Sequence, residues 1–332
     1  MAWKGRFYGF SPLIYSDFLL EWLIFVHIYV LAAWLAVKEA VFDSGHRLTK
    51  IKTELTQARL WTWKTTKRRK ILVVGGDGTI GNEIVNLLQL HGDFECHVVV
   101  HHTFSSQNSR WNNDKNVHVY SVDLVEKEQI LLLADRLKSH DFEVGVFAAG
   151  IMLCPEYRTP DGVEMHNAVN VVGQLMLFEV LQTNIHRSVF LSSATAKTAW
   201  IPAANANFLG AYAGPYQAYA SSKLNLAVYV KEMAKERLIS SVSVHPGTVP
   251  GRLYRNANPL VRYLTATWLP FWMRKPEMAA ALVLHTVFRD DLTPGAYYED
   301  TDEIDIFRWI PHEDRHRIYN TIHRRIEMWM EH

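Results

Sequence analysis

The chain has 332 residues, of which 48% are hydrophobic and 21% are charged, so it is long enough for one large globular domain or two small ones. Its 35 basic and 34 acidic residues nearly cancel, which argues against a dedicated nucleic-acid binder because the total charge provides no phosphate neutralisation. Two cysteines, Cys96 and Cys154, are too few for a disulfide scaffold or a cysteine-rich zinc site. The 16 histidines are scattered without a His-Glu-x-x-His spacing, so no bound metal is expected.

Residues 18–37 form an apolar run, FLLEWLIFVHIYVLAAWLAV. As a helix it would be about 30 Å long, which matches the hydrocarbon core of a bilayer. Glu21 lies near one end of the run, and His27 is tolerable as a neutral side chain. The run is longer than the apolar part of a cleaved signal peptide, and it is apolar on every side, unlike a buried amphipathic helix. We therefore expect an N-terminal segment, 1–17, followed by a transmembrane or membrane-anchor helix, 18–37.

Basic residues are concentrated just after this run, whereas only Lys4 and Arg6 precede it. By the positive-inside rule this asymmetry places the main body in the cytosol, and the endoplasmic reticulum is the membrane we expect. Within the basic linker, 38–69, apolar residues recur at roughly helical spacing, namely Leu48, Ile51, Leu55, Leu60 and Trp61. They fit a helix lying on an anionic membrane surface or, equally well, a solvated linker with a partly apolar face.

The segment after residue 70 begins with a short apolar run, 71–74, followed by the turn GGDGTIG and a helical pattern. Glycine lets the backbone turn tightly and approach a pyrophosphate, and the start of the helix offers N–H groups and a partial positive charge. This strand–turn–helix unit therefore predicts a dinucleotide-binding fold. The residues expected at the cofactor are Gly75, Gly78, Thr79, Ile80 and Gly81.

Strand and helix patterns alternate along the remaining body. The predicted strands cover residues 71–74, 97–100, 117–122, 143–147, 188–191 and 240–245. Such alternation specifies a doubly wound, Rossmann-like α/β fold with a parallel sheet and helices on both faces. We expect this domain over 70–310 and a helical tail over 311–332. Ligands in such folds bind at the carboxyl ends of the strands, so the residues that follow the strands are the site candidates.

Tyr219 and Lys223 open a long helical segment and lie four residues apart, on one helix face. A phenol with its usual pKa of about 10 is a poor proton donor or acceptor at neutral pH. A neighbouring ammonium favours the phenolate and lowers that pKa, which suits a general acid or base. The Tyr-x-x-x-Lys spacing is common by chance. Here, however, it follows a serine pair, Ser192 and Ser193, and a helical Asn170.

These motifs together resemble the short-chain dehydrogenase/reductase superfamily over about residues 70–310. The matching positions are Gly75-x-x-Gly78-x-x-Gly81, Asp123, Asn170-x-x-Gly173, Ser193, Tyr219-x-x-x-Lys223 and Pro246-Gly247. The resemblance implies that Ser193 hydrogen-bonds the substrate oxygen and that Tyr219 transfers the proton. It also implies that Lys223 lowers the pKa of the tyrosine and holds the nicotinamide ribose, while Asn170 supports a proton-relay water. Asp123 would contact the adenine side, and Pro246 and Gly247 would contact the cofactor.

Two positions depart from the pattern of the superfamily. Its Asn-Asn-Ala-Gly motif reads Phe147-Ala-Ala-Gly150, and its threonine after Pro-Gly falls at Gly251. Both changes weaken the prediction of efficient catalysis, although they leave Ser193, Tyr219 and Lys223 in place. An alternative to the enzyme is therefore a catalytically weak, nucleotide-binding scaffold or sensor at the membrane.

Other segments resemble the retinol-dehydrogenase-like branch, and the stretches at 246–254 and 295–298 look most similar to the polyprenol dehydrogenase of the dolichol pathway. The apolar stretch from Leu253 to Met273 is expected to enclose a greasy substrate, to dip into a membrane interface or to be an ordinary core helix. The resemblance thus implies a membrane-anchored oxidoreductase that interconverts a lipophilic alcohol and its aldehyde or ketone. Polyprenoids, retinoids and steroids are the candidate substrates.

The choice of cofactor depends on the end of the second strand, where a carboxylate would favour NAD and a basic residue NADP. The chain offers His101, His102 and Thr103 there, with Arg110 nearby and no carboxylate to repel a phosphate. NADP is mildly favoured, with NAD as the alternative and with His102 and Thr103 as cofactor-binding residues. These histidines are equally compatible with an exposed loop. The expected partners are a lipophilic substrate, the membrane and, as in the family, a second copy of the chain.

Overall fold

A computed structural model describes residues 5–7, 17–45, 50–51, 53, 69–90, 94–101, 111, 114–202, 208–237, 239–257 and 259–331. The strands are β1 (Gly5–Phe7), β2 (Arg69–Val74), β3 (Phe94–Val100), β4 (Val117–Ser121), β5 (Phe142–Phe147), β6 (Ile185–Leu191), β7 (Trp200–Pro202), β8 (Ser241–His245), β9 (Tyr297–Glu299) and β10 (Asp302–Glu303). The helices are α1 (Asp17–Ser44), α2 (Thr79–Leu90), α3 (Lys127–Leu137), α4 (Met165–Asn167), α5 (Gln174–Leu181), α6 (Pro215–Arg237), α7 (Pro259–Thr267), α8 (Pro276–Phe288) and α9 (His312–Glu331). A π-helix, Ala168–Gly173, joins α4 to α5.

The main sheet has eight strands in the order β10-β9-β8-β6-β5-β2-β3-β4. Neighbouring strands are parallel except β10, which is antiparallel to β9. The predicted parallel α/β fold is therefore confirmed. The strand order reverses at β2, which lies between β3 and β5. A crevice forms where the order of strands reverses, so ligands are expected at the carboxyl end of β2.

The core lies on both faces of this sheet, because successive strand residues point to opposite sides. Leu72 and Val74 of β2 pack in a cluster with buried residues of α3, α5, α6 and α9. Ile71 and Val73 pack in a second cluster with residues of α2 and α8. Helix α9 lies within the predicted C-terminal tail and contacts α6. The sheet is thus covered on both faces, and its strand ends are left to form a site.

Helix α1 covers the predicted membrane segment and continues for seven residues beyond it. Its side chains are described from residue 30 onward, except residue 32. Leu35 and Glu39 are buried against the body, whereas Val30, Trp34, Val37 and Val41 are exposed. Within the described ranges, the structure has no helix whose length and apolar character are sufficient for crossing a membrane.

The membrane-spanning helix predicted over 18–37 is therefore not shown by the described residues. Strand β1 precedes α1, and it pairs antiparallel with β7, with Gly5 opposite Pro202 and Phe7 opposite Trp200. The linker prediction falls mostly outside the described residues. Of its apolar positions, Ile51 is described, and it is buried in the second core cluster.

Candidate active site

A cavity of about 460 Å³ opens at the carboxyl ends of the parallel strands. It brings together most of the residues predicted from the sequence, which come from separate parts of the chain. Those that line it are Gly75, Gly78, Thr79, Ile80, Gly81, Asp123, Ser193, Tyr219, Lys223, Pro246 and Gly247. His102 and Thr103 lie outside the described residues, and His101 beside them lines the cavity. Asn170 is completely buried beside the cavity.

The glycine-rich turn between β2 and α2 packs tightly against the strand next to it. Gly75 has a φ of +88°, and a Cβ atom there would lie 2.5 Å from the backbone nitrogen of Ala149. Only glycine combines this conformation with such a close approach. The first turn of α2, which includes Thr79, Ile80 and Gly81, faces the cavity. Its free N–H groups and the helix dipole fit the pyrophosphate of a dinucleotide such as NAD or NADP.

The threonine expected from the family pattern is missing at Gly251, and Thr79 lies directly beside this position. A Cβ atom at Gly251 would lie 2.1 Å from the Thr79 Oγ1 atom. The same Oγ1 accepts a hydrogen bond from the Arg252 backbone nitrogen at 3.3 Å. The Thr79 hydroxyl therefore occupies the space that a side chain at 251 would need, so the two positions must be considered together.

The other departure, at Phe147, is explained by core packing. The Phe147 ring stacks on Phe190 at 4.5 Å between centroids, with 13° between the planes, and meets Phe178 edge-on. Phe147 thus contributes to the core rather than to the cavity, whereas Ala148, which follows it, lines the cavity. This aromatic cluster extends the apolar core up to the edge of the site.

Asp123 lies where the sequence predicts an adenine-side residue, just after β4. Its Oδ1 accepts a hydrogen bond from the Val125 backbone nitrogen at 3.1 Å. Its Oδ2 lies 3.5 Å from the His101 Nε2. The carboxylate is therefore held in place at the cavity wall, beside the one residue of the histidine pair that is described.

Ser193 and Tyr219 meet at the centre of the cavity. The Ser193 hydroxyl lies close enough to the Tyr219 phenol to favour a lower tyrosine pKa, and both residues are buried, with Tyr219 only 5% exposed. The Ser193 hydroxyl also accepts hydrogen bonds from Thr195, from the backbone nitrogen at 3.2 Å and from Oγ1 at 2.9 Å. Ser192, the alternative serine, instead donates to the Lys223 carbonyl at 2.8 Å. This geometry allows a proton to pass between a bound oxygen and the Ser193–Tyr219 pair.

Thr195 was not identified from the sequence. It lines the cavity and orients the Ser193 hydroxyl. Its position two residues after Ser193, in the short helix that follows β6, is the signal that could have pointed to it.

The tyrosine and the lysine differ from the predicted electrostatics. Burial raises the pKa of Tyr219 above its usual value, and the hydrogen bond with Ser193 opposes that rise only in part. Burial lowers the pKa of Lys223 to about 7. The Lys223 ammonium donates to the Leu191 carbonyl at 2.7 Å and lies 5.9 Å from the centre of the Tyr219 ring. In this structure desolvation thus outweighs the predicted lowering of the tyrosine pKa by the lysine.

Asn170 lies in the π-helix between α4 and α5, and such helices are frequent at functional sites. Its amide makes contacts on two sides. Its Oδ1 accepts from the Ile151 nitrogen at 2.8 Å, and its Nδ2 donates to the Ile151 carbonyl at 3.0 Å and to the Ser222 hydroxyl at 2.9 Å. Asn170 therefore fixes the chain after β5 next to Gly150. The proton-relay role implied by the resemblance stays a prediction.

The apolar stretch from Leu253 to Met273 is divided between the cavity and the surface. Leu253 and Tyr254 line the cavity. Farther along, Trp268, Phe271 and Trp272 are exposed, Phe271 by 84%. Of the three alternatives for this stretch, enclosure of substrate therefore fits its first residues, whereas the exposed side chains after α7 fit neither enclosure nor an ordinary core helix.

Among the described residues, Glu95, His97 and His118 are spaced as metal ligands would be, with their ligand atoms within 4.8 Å of one another. They lie toward the amino ends of β3 and β4, away from the cavity. The Lys70 ammonium lies 3.7 Å from the Glu95 carboxylate. The Lys70 ammonium already balances the charge of the Glu95 carboxylate and would repel a metal cation bound there, so we assign no function to the cluster.

Comparison with known proteins agrees with this geometry. The family model of the NAD dependent epimerase/dehydratase family matches residues 71–269. Mouse retinol dehydrogenase 12 is 28% identical over 248 residues, which cover 70% of this chain and 78% of that protein. Mouse polyprenol dehydrogenase is 31% identical over 173 residues, covering 47% of this chain and 51% of that protein. A short-chain dehydrogenase family protein from Francisella tularensis superposes with a TM-score of 0.53 at 20% identity, covering 70% of this chain and 96% of that protein.

Proposed function

We propose a substrate class and a place of action for this chain, which belongs to the NAD dependent epimerase/dehydratase family and is an NAD(P)-dependent short-chain dehydrogenase/reductase. The proposed reaction interconverts a lipophilic alcohol and its aldehyde or ketone at a membrane surface. A polyprenoid is the substrate we favour, and retinoids and steroids are the competing classes. When bound, the nicotinamide supplies or accepts the hydride. Tyr219, supported by Ser193, is proposed to move the proton at the substrate oxygen.

The observation that carries this proposal is the lining of the cavity around the Ser193–Tyr219 pair. The apolar side chains in the lining of the same cavity include Met152, Met165, Val169 and Leu253, with the ring of Tyr254. Each buried methylene adds roughly 0.8 kcal/mol, so an isoprenoid chain would gain affinity from such a wall whereas a short soluble alcohol would not.

Two exposed apolar surfaces support a location at a membrane. One is the stripe on α1 formed by Val30, Trp34, Val37 and Val41, which recur at helical spacing. The other is the aromatic turn after α7, with Trp268, Phe271 and Trp272. Large exposed apolar groups are uncommon on freely soluble monomers and mark sites of interaction. We propose that these surfaces rest in the interface of a membrane, with the endoplasmic reticulum, facing the cytosol, as the membrane we favour.

For the cofactor, we favour NADP over NAD, because His101 rather than a carboxylate follows β3. The departures at Phe147 and Gly251 remain the motivation for the scaffold alternative. Turnover of a lipid carbonyl by the purified protein with NADPH or NADH would separate the enzyme from a scaffold.

The substrate proposal is tested with prenyl aldehydes of increasing length, assayed in detergent with NADPH. We expect kcat/KM to rise with chain length until micelle effects intervene. Leu253→Ala, inside the cavity, should flatten this dependence more than it harms the shortest substrate. Trp268→Ala, on the surface, is the matched control and should retain the dependence. A strong preference for a rigid sterol, with no activity on any prenyl chain, would refute the polyprenoid assignment and leave the oxidoreductase assignment intact.

A further inference from the structure

The loop after β8, residues 246–251, lines the cavity with one side and is held from its other side by groups outside the predicted motifs. Pro246, Gly247 and Thr248 contribute to the cavity wall. Two glycines in this loop, Gly247 and Gly251, have positive φ angles. Such a sequence has many alternative conformations when it is not restrained, so the shape of this wall depends on what holds the loop.

Glu39 of α1 is the main restraint on this loop. Its side chain is 2% exposed although it comes from a helix more than 200 positions away in the sequence. The Glu39 Oε2 accepts a hydrogen bond from the Thr248 backbone nitrogen at 2.7 Å. The Glu39 Oε1 lies 3.2 Å from the Thr248 Oγ1 and 3.2 Å from the His245 Nε2. One carboxylate thus joins the last residue of β8 to the loop.

The charge of Glu39 is kept in spite of its burial. Desolvation alone would raise the pKa of this carboxyl group. The hydrogen bond and charge of His245, the charge of Arg274 and the Thr248 amide outweigh desolvation, so the pKa of Glu39 lies below its usual value. A carboxylate accepts stronger hydrogen bonds than a neutral oxygen does, which makes it suited to fixing a backbone N–H group.

Arg274 holds the carbonyl groups of the same loop. It is buried, and its side chain donates to the Pro246 carbonyl at 3.2 Å. Its backbone nitrogen donates to the Thr248 carbonyl at 2.8 Å, and this bond does not depend on the Arg274 side chain. The Arg274 guanidinium also pairs with Asp43 of α1 at 3.0 Å and with Asp300 at 2.7 Å. The loop is therefore held from outside the cavity both at a backbone N–H group, by Glu39, and at backbone carbonyl groups, by Arg274.

We propose that Glu39 is a positioning residue for cofactor binding, which sets the conformation of loop 246–251 before NAD(P) enters the cavity. A loop that is already ordered loses less conformational entropy on binding, so its ligand binds more tightly. Helix α1 is then part of the cofactor site as well as a carrier of exposed apolar residues. The inference rests on the NAD(P)-dependent chemistry of the family and is independent of the proposed lipid substrate.

Docking of α1 and restraint of the loop are carried by different residues, which makes the inference testable. Lys38, next to Glu39, pairs with Glu299 at 3.2 Å and with Asp300 at 3.0 Å. These contacts attach α1 to the body without touching the loop. A substitution at Lys38 therefore weakens docking and reaches the loop only indirectly, through Asp300 and Arg274, whereas one at Glu39 changes a side chain that contacts the loop itself.

The experiment compares Glu39→Gln with Lys38→Met in the full-length chain. The dissociation constants of NADPH and NADH are measured by fluorescence without substrate, and the thermal midpoint is recorded in parallel. We expect Glu39→Gln to weaken cofactor binding by roughly tenfold or more, because the amide is uncharged and keeps only one of the two oxygens that accept from Thr248 and His245. With an active substrate, the KM for cofactor should rise by a similar factor while kcat changes much less. Lys38→Met should lower the thermal midpoint and leave cofactor affinity within about twofold.

Wild-type affinity in a folded Glu39→Gln protein would overturn the inference, and so would an equal loss of affinity in Lys38→Met. If Glu39→Gln does not fold, Thr248→Val and Glu39→Asp provide the same test. Thr248→Val removes one donor to the carboxylate, and Glu39→Asp withdraws the carboxylate while keeping its charge. Both should weaken cofactor binding by several-fold, and unchanged affinity in both would overturn the inference. Because binding is measured without substrate, failure to turn over any lipid would affect the proposed function alone.

Discussion

The catalytic cluster and helix α1 contribute to one cavity in different ways. Ser193, Tyr219 and Lys223 are all buried, and their polar groups are paired with one another or with the nearby backbone. Helix α1 has two faces with different surroundings. One face buries Leu35 and Glu39 against the body, and the other leaves an apolar stripe exposed. The catalytic cluster is thus shielded from solvent. Helix α1, in contrast, contacts the body with one face and has an exposed apolar surface on the other.

This difference shows that one face of an apolar helix can pack against the body while its other face remains exposed. The burial of a carboxylate on α1 is stabilised by its hydrogen bonds to His245 and Thr248. The exposed stripe lies on the opposite side of the helix and takes no part in these hydrogen bonds. A helix of this kind is expected to respond to mutation face by face, and the following predictions test the two regions separately.

The largest effect is expected inside the catalytic cluster. Tyr219→Phe removes the hydroxyl and retains the packing of the ring. Turnover should fall by roughly 100-fold or more, in line with positioned acid–base catalysis, while cofactor affinity stays near that of the wild type. Tyr216→Phe, one turn earlier on α6, is the matched control and should have little effect. Wild-type turnover in Tyr219→Phe would remove this residue from the mechanism.

The pH dependence is the next largest effect. Because burial raises the pKa of Tyr219, the phenol stays protonated through the neutral range and remains able to donate its proton. Carbonyl reduction should therefore vary little between about pH 6 and 9 on account of this group. Alcohol oxidation needs the phenolate, whose fraction increases roughly tenfold per pH unit below the pKa, so its rate should rise steeply with pH. If the oxidation rate rises with pH but stops rising before about pH 8, Tyr219 ionises near neutrality once the cofactor is bound.

A smaller effect is expected from restoring the family residue at Gly251. Gly251→Thr would force a side chain against the Thr79 hydroxyl, so we expect a lower thermal midpoint and roughly tenfold weaker cofactor binding. The double variant Thr79→Gly/Gly251→Thr removes the clash but leaves a threonine at the positive φ of residue 251, so it should recover only part of the loss. If Gly251→Thr alone binds cofactor as well as the wild type, the two positions are not coupled as the structure indicates.

The smallest effect concerns the exposed surface. Phe271→Ser/Trp272→Ser should reduce binding to vesicles of mixed neutral and anionic lipids by several-fold in a sedimentation assay, because each substitution removes apolar area from the interface. Activity on a short substrate in solution should be unchanged. Trp309→Ser, at another exposed tryptophan, is the control and should not change vesicle binding. Equal loss in the control would mean that this turn is not the surface that contacts lipid.

The local motifs in the sequence were sufficient for the sheet and for most of the site. Strands β2 to β6 and β8 were predicted because apolar runs alternate there with helical patterns. The same logic placed Gly75, Asp123 and Ser193 at the strand ends, since the carboxyl ends of parallel strands lie at one edge, whereas Tyr219 was predicted from its spacing to Lys223 on a helix. Short strands such as β1, β7 and β10 were not predicted, because runs of two or three residues have too little periodicity to be recognised.

Contacts between residues far apart in the chain were determined only by the tertiary structure. The coupling of Thr79 to Gly251, and of Glu39 to Thr248, cannot be read from either segment alone, because each contact depends on how separate elements pack. The same holds for pKa values, since burial raises that of Tyr219 and lowers that of Lys223 to about 7. The sequence determines which residues follow the strands. Packing determines which of them are desolvated and which face of α1 is left exposed.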